Sequence, residues 1–304
     1  MPRPKSETTI AGVRLTHPDR VLYPEQGVTK RELAEYYAAV AEHLLPYVRN
    51  RLVTLIRCPG GREGECFVQR RAGAGLPDAV RRVEVADEEG ERATYLTVSS
   101  VRELVALVQV GTLELHAWGA RLDRLDRPDR MILDLDPGPG LPFSAVVEGA
   151  KELHARLDGL GLVSFVKTTG GKGLHVTVPL VRRSAWEEVR SFARALAEEM
   201  ERRHPDRFVA EAAKAERTGR IYVDYLRNGF AASAVVPFST RARSGAPVSV
   251  PLSWDELTPS LDPSRFTVRT VPERLARQRT DPWAGYSRTR QALTKRVRSR
   301  VGRD

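Results

Sequence analysis

The sequence predicts a mixed fold of the α/β or α+β class, in which helices and strands alternate around a layered core. Three observations support this prediction. A helix-capping signal near residue 29 precedes apolar residues at helical spacing, and beyond residue 130 short apolar strands alternate with long helical patterns. The composition, 41% hydrophobic and 29% charged over 304 residues, is that of an ordinary globular protein.

The N-terminal part is predicted to start with a flexible stretch over residues 1–12, followed by a helix. Thr29 can cap this helix, and Glu32 follows at the capping-box spacing. The next apolar residues recur at helical spacing: Leu33, Tyr36, Tyr37, Val40, Leu44 and Leu45. After the helix the patterns indicate a hairpin over 51–57 and 66–69, a strand over 94–98 and a helix over 101–109.

A charged connector over residues 121–130 is expected to lead into a second region. Its patterns predict strands over 131–136, 164–168, 174–178, 221–224 and 232–236, and helices over 143–160 and 185–202. We therefore expect one domain over 13–285, with an N-terminal subregion over 13–125 and a catalytic subregion over 126–285. A basic tail over 286–304 would follow.

The net charge of +10 favours a polyanionic partner such as nucleic acid, with a solvated basic surface as the alternative. Residues 284–304 hold seven arginines and lysines and one acid, so they supply +6 of this charge. There is no apolar run of membrane-spanning length and no secretory signal, so we expect a cytoplasmic protein. Cys58 and Cys66 are expected to be inert thiols, because two cysteines do not make a disulfide framework.

The strand over 131–136 carries the most informative residues. Asp134 and Asp136 are two positions apart, so they project from one face of the strand. Two carboxylates this close repel unless a positive charge neutralises them, and hard oxygen ligands favour magnesium or manganese. Asp224 ends another apolar strand and could complete a two-metal site for phosphoryl transfer. The alternative is a strand end whose acids face water.

A glycine-rich segment, Thr-Thr-Gly-Gly-Lys-Gly-Leu-His over 168–175, lies between two predicted strands. Glycines allow backbone N–H groups to approach a phosphate, and Lys172 adds positive charge. The segment is not a P-loop, because Gly173 follows the lysine and a strand follows the loop. The alternative is an ordinary hairpin turn.

Together these motifs resemble the archaeo-eukaryotic primase superfamily, and most closely the polymerase domain of bacterial ligase D, an end-joining enzyme. The resemblance rests on Asp-Leu-Asp-Pro-Gly (134–138), the glycine-rich segment and Tyr-Val-Asp-Tyr-Leu-Arg-Asn (222–228), and it extends from about residue 15 to about residue 257. It implies a primase-polymerase fold, with an RRM-like antiparallel catalytic sheet flanked by helices and an N-terminal α/β subregion.

The resemblance also implies roles for individual residues. Asp134, Asp136 and Asp224 would bind two divalent metal ions, Mn²⁺ or Mg²⁺, for catalysis with NTP or dNTP substrates. The implied nucleotide-binding residues are His116, Thr169, Gly170, Lys172, His175, Arg217 and Arg241. The 5′-phosphate of a gap would contact His17, Arg20 and Lys30, and Phe67 would stack against the template.

The expected partner is gapped or broken DNA, with Ku and a separate DNA ligase as further candidates. The sequence has no Lys-x-Asp-Gly ligase signature, so we expect a freestanding polymerase. End joining, gap filling and primer synthesis stay open as pathways. Two alternative functions also stay open: a catalytically silent module that binds and bridges DNA ends, and a two-metal nuclease.

Overall fold

The computed structural model describes residues 8–86 and 90–302. Up to residue 118 the chain forms β1 (Thr8–Ile10), β2 (Val13–Leu15), β3 (Val21–Tyr23), β4 (Val28–Thr29), α1 (Lys30–Val48), β5 (Val53–Arg57), β6 (Phe67–Gln69), β7 (Arg81–Ala86), β8 (Arg92–Thr97), α2 (Val101–Gln109) and β9 (Thr112–Trp118). The following elements are β10 (Ala120–Arg121), β11 (Arg124–Pro128), β12 (Arg130–Pro137), α3 (Phe143–Gly159), β13 (Phe165–Thr168), β14 (Leu174–Pro179), α4 (Trp186–Arg203), β15 (Phe208–Val209), β16 (Ile221–Asp224), β17 (Ser233–Val235), β18 (Pro251–Leu252), α5 (Thr270–Arg277) and α6 (Lys295–Arg298).

The chain divides into two compact units, and each unit is assembled from three chain segments. Unit 1 contains Met1–Ala117, Val235–Val248 and Ser264–Arg277. Unit 2 contains Trp118–Ala234, Ser249–Pro263 and Gln278–Asp304. The first change of unit falls at Ala117/Trp118, near the expected boundary between the subregions at 125/126. After first leaving each unit, the chain returns to it twice.

Unit 1 is built on the neighbouring strands β9, β5, β8 and β7, in that order, and β6 pairs with β5. Helix α1 packs against α2. Its N-terminus is fixed as predicted: the Glu32 N–H donates to the Thr29 hydroxyl, and Glu32 Oε2 accepts from the Thr29 N–H at 2.7 Å. The apolar stripe predicted for this helix is buried at every position. The capping box and the core face of α1 are therefore confirmed.

Unit 2 is built on a second sheet with the order β15-β16-β12-β14-β13-β18. Strand β12 lies in the middle and pairs antiparallel with β14 and β16, while β15 and β16 are parallel. Helices α3 and α4 both contact β12. The strands flanking β12 are short and almost completely buried, so side chains on β12 are surrounded by the sheet on both sides.

Two stretches expected to lack regular structure are ordered. Residues 121–130 were expected to be a connector, but β10 and β11 form a hairpin there, closed by the Arg121–Asp129 ion pair at 2.8 Å. Of the expected flexible N-terminus, residues 8–12 belong to the β1–β2 hairpin, and residues 1–7 lie outside the described residues. In both cases strand pairing, which is not visible in local composition, decides the structure.

The basic tail packs onto unit 2 as far as the structure describes it. Leu293 and Val301 are buried, and the Gln291 side-chain amide donates to the carbonyls of Val163 and Pro179. The Arg156 side chain donates to the Arg300 carbonyl at 2.6 Å. Residues 303–304 lie outside the described part. The tail therefore contributes to packing as well as to charge.

The expectation of two inert thiols is wrong, because Cys58 and Cys66 form a disulfide with a Cα–Cα distance of 4.3 Å. The hairpin explains the pairing. Strands β5 and β6 pair Arg57 with Phe67, so the next residue outward on each strand is a cysteine, and the two cysteines face each other. The pairing thus depends on the register of the hairpin, in addition to its presence.

None of the helices within residues 8–86 and 90–302 is both long enough and apolar enough to cross a membrane.

Candidate active site

A row of ionisable side chains crosses four strands of the unit 2 sheet. On β12, Asp134 lies opposite Asp224 of β16 on one side and His175 of β14 on the other. His175 in turn lies opposite Lys167 of β13. Directly paired residues in antiparallel strands project from the same face. The structure therefore brings Asp224 beside Asp134, as the sequence predicted, and adds His175 and Lys167 to the same row.

Arg227 was not predicted, although it contacts both carboxylates of the row. Its Nε lies 3.1 Å from Asp224 Oδ2 and 3.6 Å from Asp134 Oδ2. The turn after β16 places it there. Asn228 fixes this turn, because its amide accepts from the Ile132 N–H at 2.8 Å and donates to the Ile132 carbonyl at 2.7 Å. The position of Arg227 three residues after Asp224 was the available signal.

The two carboxylates have different electrostatic environments. Burial acts to raise the pKa of Asp134, but the neighbouring His175, Arg227 and Lys167 outweigh it and lower this pKa to about 2. Burial raises the pKa of Asp224, and the charge of Asp134 adds to the effect while Arg227 opposes it. Repulsion between two adjacent acids is the physical reason that the pKa values of such a pair move apart.

His175 is buried, and its Nε2 lies 3.3 Å from Asp134 Oδ2. Burial, followed by the nearby Lys167 charge, lowers the pKa of His175 to about 4, although Asp134 acts in the opposite direction. Lys167 is itself buried and donates from Nζ to the Ser249 hydroxyl at 2.7 Å. The imidazole is therefore neutral near neutral pH, and the fixed cation behind it is Lys167.

Asp136 lies at the exposed end of β12, with 54% of its side chain accessible, and pairs with Arg217 at 3.5 Å. The Arg217 guanidinium stacks on the Tyr222 ring, 3.9 Å from its centroid. Gly138 permits this arrangement, because a Cβ there would lie 1.7 Å from the Arg217 carbonyl oxygen. The structure thus joins Asp136 to Arg217 and the other two acids to Arg227.

The glycine-rich segment forms a tight turn between β13 and β14, beside the row of charges. The Thr169 hydroxyl organises the turn: it donates to the Gly173 carbonyl at 3.1 Å and lies 3.3 Å from the N–H groups of Gly171 and Gly173. Gly170 has a positive φ of 66°. A Cβ at Gly173 would lie 2.5 Å from the Leu135 carbonyl oxygen, so only glycine allows the turn to approach β12 this closely. Lys172 is exposed at the tip.

The carboxylates suit a divalent cation by their chemistry. They are hard oxygen donors, and two of them already share the positive charge of Arg227. Within residues 8–86 and 90–302, no group of three or more acidic, histidine or cysteine side chains is preassembled for a metal. The reason is visible in the contacts just described, since Asp136 turns to Arg217. A cation bound here would take over the neutralisation that the two arginines provide.

Two further sets of predicted residues lie in unit 1. His116 and Arg241 both contact Glu114, at 2.8 Å in each case. In the second set, the Lys30 N–H donates to the Arg20 carbonyl, and the Arg20 N–H donates to the His17 carbonyl. The structure therefore brings His17, Arg20 and Lys30 together, and separately His116 and Arg241.

Lys30 and Arg20 differ in exposure. Lys30 is buried and donates from Nζ to the carbonyls of Thr16 and Gln109, at 2.9 and 3.2 Å. Burial, then the adjacent Arg20 charge, lowers the pKa of Lys30. Arg20 is exposed and donates to the Pro59 carbonyl at 3.0 Å. Phe67 is 42% exposed, and the Arg57 guanidinium lies 5.3 Å from its ring centroid.

Comparison with known proteins gives a consistent result. The LigD primase-polymerase domain family matches residues 29–283. The multifunctional non-homologous end joining protein LigD of Pseudomonas aeruginosa is 42% identical over 299 residues, which is 98% of this chain and 36% of that protein. The bifunctional LigD of Bacillus subtilis is 31% identical over 267 residues, which is 88% of this chain and 43% of that protein.

A solved structure, the polymerase domain of Mycobacterium tuberculosis ligase D in complex with DNA, matches with a TM-score of 0.81 and 28% identity. The match covers 95% of this chain and 99% of that one, which agrees with the predicted mixed α+β fold. The chain spans only about a third to two-fifths of the length of the two curated relatives, 36% and 43%. From sequence and fold together, the chain belongs to the LigD primase-polymerase domain family.

Proposed function

We propose that this chain is a nucleotidyltransferase that adds nucleotides to a 3′-hydroxyl at gaps or breaks in DNA. The observation that carries the proposal is the row of charges on the unit 2 sheet, in which Asp134 and Asp224 lie next to the glycine-rich turn. An acidic cluster beside a phosphate-type turn is the arrangement needed for phosphoryl transfer from a nucleoside triphosphate.

In this proposal Asp134, Asp136 and Asp224 hold two divalent ions, Mn²⁺ or Mg²⁺. When bound, such ions would supply the positive charge that activates the 3′-hydroxyl and neutralises the leaving pyrophosphate. The Arg227 guanidinium contacts both Asp134 and Asp224, and its positive charge favours the ionised forms that a cation would bind.

The remaining residues bind and orient the substrate. Lys172 and Arg217 supply positive charge for the triphosphate, and the turn of Thr169 and Gly170 supplies close backbone approach. His175, neutral and fixed against Asp134, offers a polar contact that does not repel a metal ion. His116 and Arg241 would also contact the nucleotide, as the resemblance implies. Both NTP and dNTP are candidate substrates.

The DNA substrate follows from the unit 1 cations and from the relatives. His17, Arg20 and Lys30 would bind the 5′-phosphate across a gap, and Phe67 would stack on the template. The P. aeruginosa relative is named for non-homologous end joining, and the M. tuberculosis domain was solved with DNA. We therefore propose end joining or gap filling as the setting, at the nucleoid, with Ku and a separate ligase as partners.

A primer-extension assay tests the proposal. The protein is incubated with a gapped primer-template, MnCl₂ and labelled nucleotides, and the products are separated by length. Extension of the primer by templated nucleotides is the expected result. A mobility shift without extension would favour the DNA-end-bridging alternative, and shortening of the primer would favour the nuclease; either result contradicts the proposal.

A further inference from the structure

Glu114, in the middle of β9, is a buried carboxylate to which sequence analysis gave no role. Its side chain is 8% exposed. Oε2 lies 2.8 Å from His116 Nε2 and 2.8 Å from Arg241 Nε, and Oε1 accepts from the Ala242 N–H at 2.9 Å. One carboxylate thus joins two side chains that are separated by more than a hundred residues in sequence.

The backbone on both sides of this contact is held firmly. Glu114 and His116 are two positions apart on β9, so they share a face of the sheet. The segment of Arg241 is fixed by the Thr240–Val248 bridge and by the Arg241 N–H, which donates to the Pro247 carbonyl at 2.9 Å. His116 and Arg241 stay partly accessible, at 17% and 15%.

The charge state of Glu114 follows from these contacts. Burial acts to raise its pKa, but the hydrogen bond from His116 and the charge of Arg241 lower the pKa to about 2. An ionised carboxylate only accepts hydrogen bonds, so the nitrogen of His116 that faces it, Nε2, carries a proton. Glu114 therefore fixes the tautomer of His116 as well as the orientation of both side chains.

We propose that Glu114 is a positioning residue for nucleotide binding, which holds His116 and Arg241 in the pose that receives the incoming nucleoside triphosphate. The inference rests on the proposed function, because it takes both side chains to contact the nucleotide. The inference adds Glu114, which contacts both of these side chains. A preorganised pair loses less side-chain entropy when the ligand binds, so removal of the anchor weakens binding.

Glu114→Gln is the informative substitution, because it keeps the shape and changes the hydrogen-bonding capacity. Glutamine has one acceptor oxygen and one donor amide, whereas the site presents donors to both oxygens. The amide NH₂ of the glutamine then faces either the Ala242 N–H or the donors of His116 and Arg241. Two donors cannot hydrogen-bond to each other, so one side of the arrangement is lost. Glu84→Gln is a matched control, since Glu84 lies in the same sheet on β7 with 69% of its side chain exposed.

The readout is equilibrium binding of ATP, with MnCl₂ and a gapped template that presents dT opposite the gap. The primer ends in a 3′-dideoxynucleotide, so no chemistry occurs. We expect Glu114→Gln to weaken ATP binding by roughly tenfold or more, as for the loss of a hydrogen bond to a charged group. Glu84→Gln should bind as the wild type does. Thermal unfolding of each variant establishes that it is folded, and Glu114→Asp replaces Glu114→Gln if the latter is not.

A role through the two side chains predicts non-additivity. In a His116→Ala, Arg241→Ala background, Glu114→Gln should change ATP binding by less than about twofold, because the groups that it positions are gone. An undiminished effect in that background, or wild-type affinity in folded Glu114→Gln, overturns this inference alone. Absence of ATP binding by the wild type overturns the proposed function and this inference with it.

Discussion

At the level of single residues, the carboxylates on β12 and β16 are the groups on which the proposed chemistry depends. Asp134 is surrounded by positive or polar partners, His175 at 3.3 Å and Arg227 at 3.6 Å, so it is held ionised in a buried position. Asp136, half exposed at the end of the strand, pairs with Arg217 at 3.5 Å. The two acids of β12 are thus neutralised by two different arginines, Arg227 and Arg217.

We predict that Asp134→Ala or Asp136→Ala lowers primer extension by at least about two orders of magnitude, because each change removes a metal ligand. Binding to gapped DNA should hold or improve, since a negative charge near phosphates is lost. Asp126→Ala is the control, as this acid of β11 has a side chain 66% exposed and pairs with Arg127. Extension by both active-site variants in MnCl₂ would show that the carboxylates are not metal ligands.

Arg20 gives a cleaner test of 5′-phosphate recognition than Lys30. Lys30 is buried and bonded to two backbone carbonyls, so Lys30→Ala would disturb the fold as well as any binding. Arg20→Ala removes an exposed guanidinium that can give a phosphate two hydrogen bonds.

On paired gapped substrates with and without a 5′-phosphate, the wild type should extend the phosphorylated gap roughly tenfold better. Arg20→Ala should lose this preference and still extend an open primer-template normally. Arg102→Ala, at an exposed position of α2, should behave as the wild type does. If the wild type treats both gaps equally, the repair-type function gives way to a general primase.

At the level of elements, the β5–β6 hairpin connects the disulfide with the cluster of basic residues near the N-terminus. Its loop runs from Cys58 to Cys66 and contacts the segment before α1. Arg20 donates to the Pro59 carbonyl, the Arg62 N–H donates to the Leu22 carbonyl at 2.8 Å, and the Arg62 side chain pairs with Glu25. Cys66 is exposed and Cys58 is buried, so a thiol reductant reaches the bond through the Cys66 sulfur.

We predict that Cys66→Ala with Cys58→Ala lowers the free energy of unfolding by about 2–3 kcal/mol, the loop-closure value for a short loop. Urea denaturation measures the change. A dithiol reductant should lower the wild-type midpoint toward that of the double variant and leave the variant unaffected. A wild-type midpoint that does not respond to reductant would mean that the two thiols do not form the bond in solution.

The sequence anticipated elements with strong local signals and missed those that depend on pairing. Helix α2 occupies Val101–Gln109, the predicted span, because its capping box and apolar stripe agree. Strand β9 was not predicted, although Thr112, Glu114 and His116 alternate with apolar residues as in a strand. Six of its seven residues are buried, so most of the polar residues of this alternation face the interior and not water. Arg227 was missed for a related reason: it approaches the acids only after the turn fixed by Asn228 has formed.

At the level of the whole molecule, the C-terminal segment that carries much of the excess positive charge also takes part in the packing of the fold. The C-terminal segment contributes Leu293 and Val301 to the interior of unit 2, and Arg298 pairs with Glu188. Removing residues 286–304 would therefore disturb the fold, and loss of DNA binding by such a truncation would be ambiguous. Four exposed cations of the C-terminal segment can be changed while its buried residues stay in place: Arg288, Arg290, Lys295 and Arg296.

We predict that glutamine at these four positions weakens binding to gapped DNA and leaves primer extension at saturating DNA unchanged. Each phosphate contact that is lost should reduce the slope of log binding constant against log salt by about 0.9. The measurement is DNA affinity over a series of KCl concentrations. A slope equal to that of the wild type would show that this part of the tail does not meet DNA.

The interleaving of the two units constrains the order in which the chain can fold during its synthesis. When Ala117 has been made, unit 1 still lacks Val235–Val248, and with it Arg241, the partner of Glu114. When Ala234 has been made, unit 2 still lacks β18 and Trp283, whose indole N–H donates to the Val166 carbonyl. Neither unit can reach its final structure until most of the chain has left the ribosome, so nascent intermediates expose unpaired sheet edges to chaperones for much of translation.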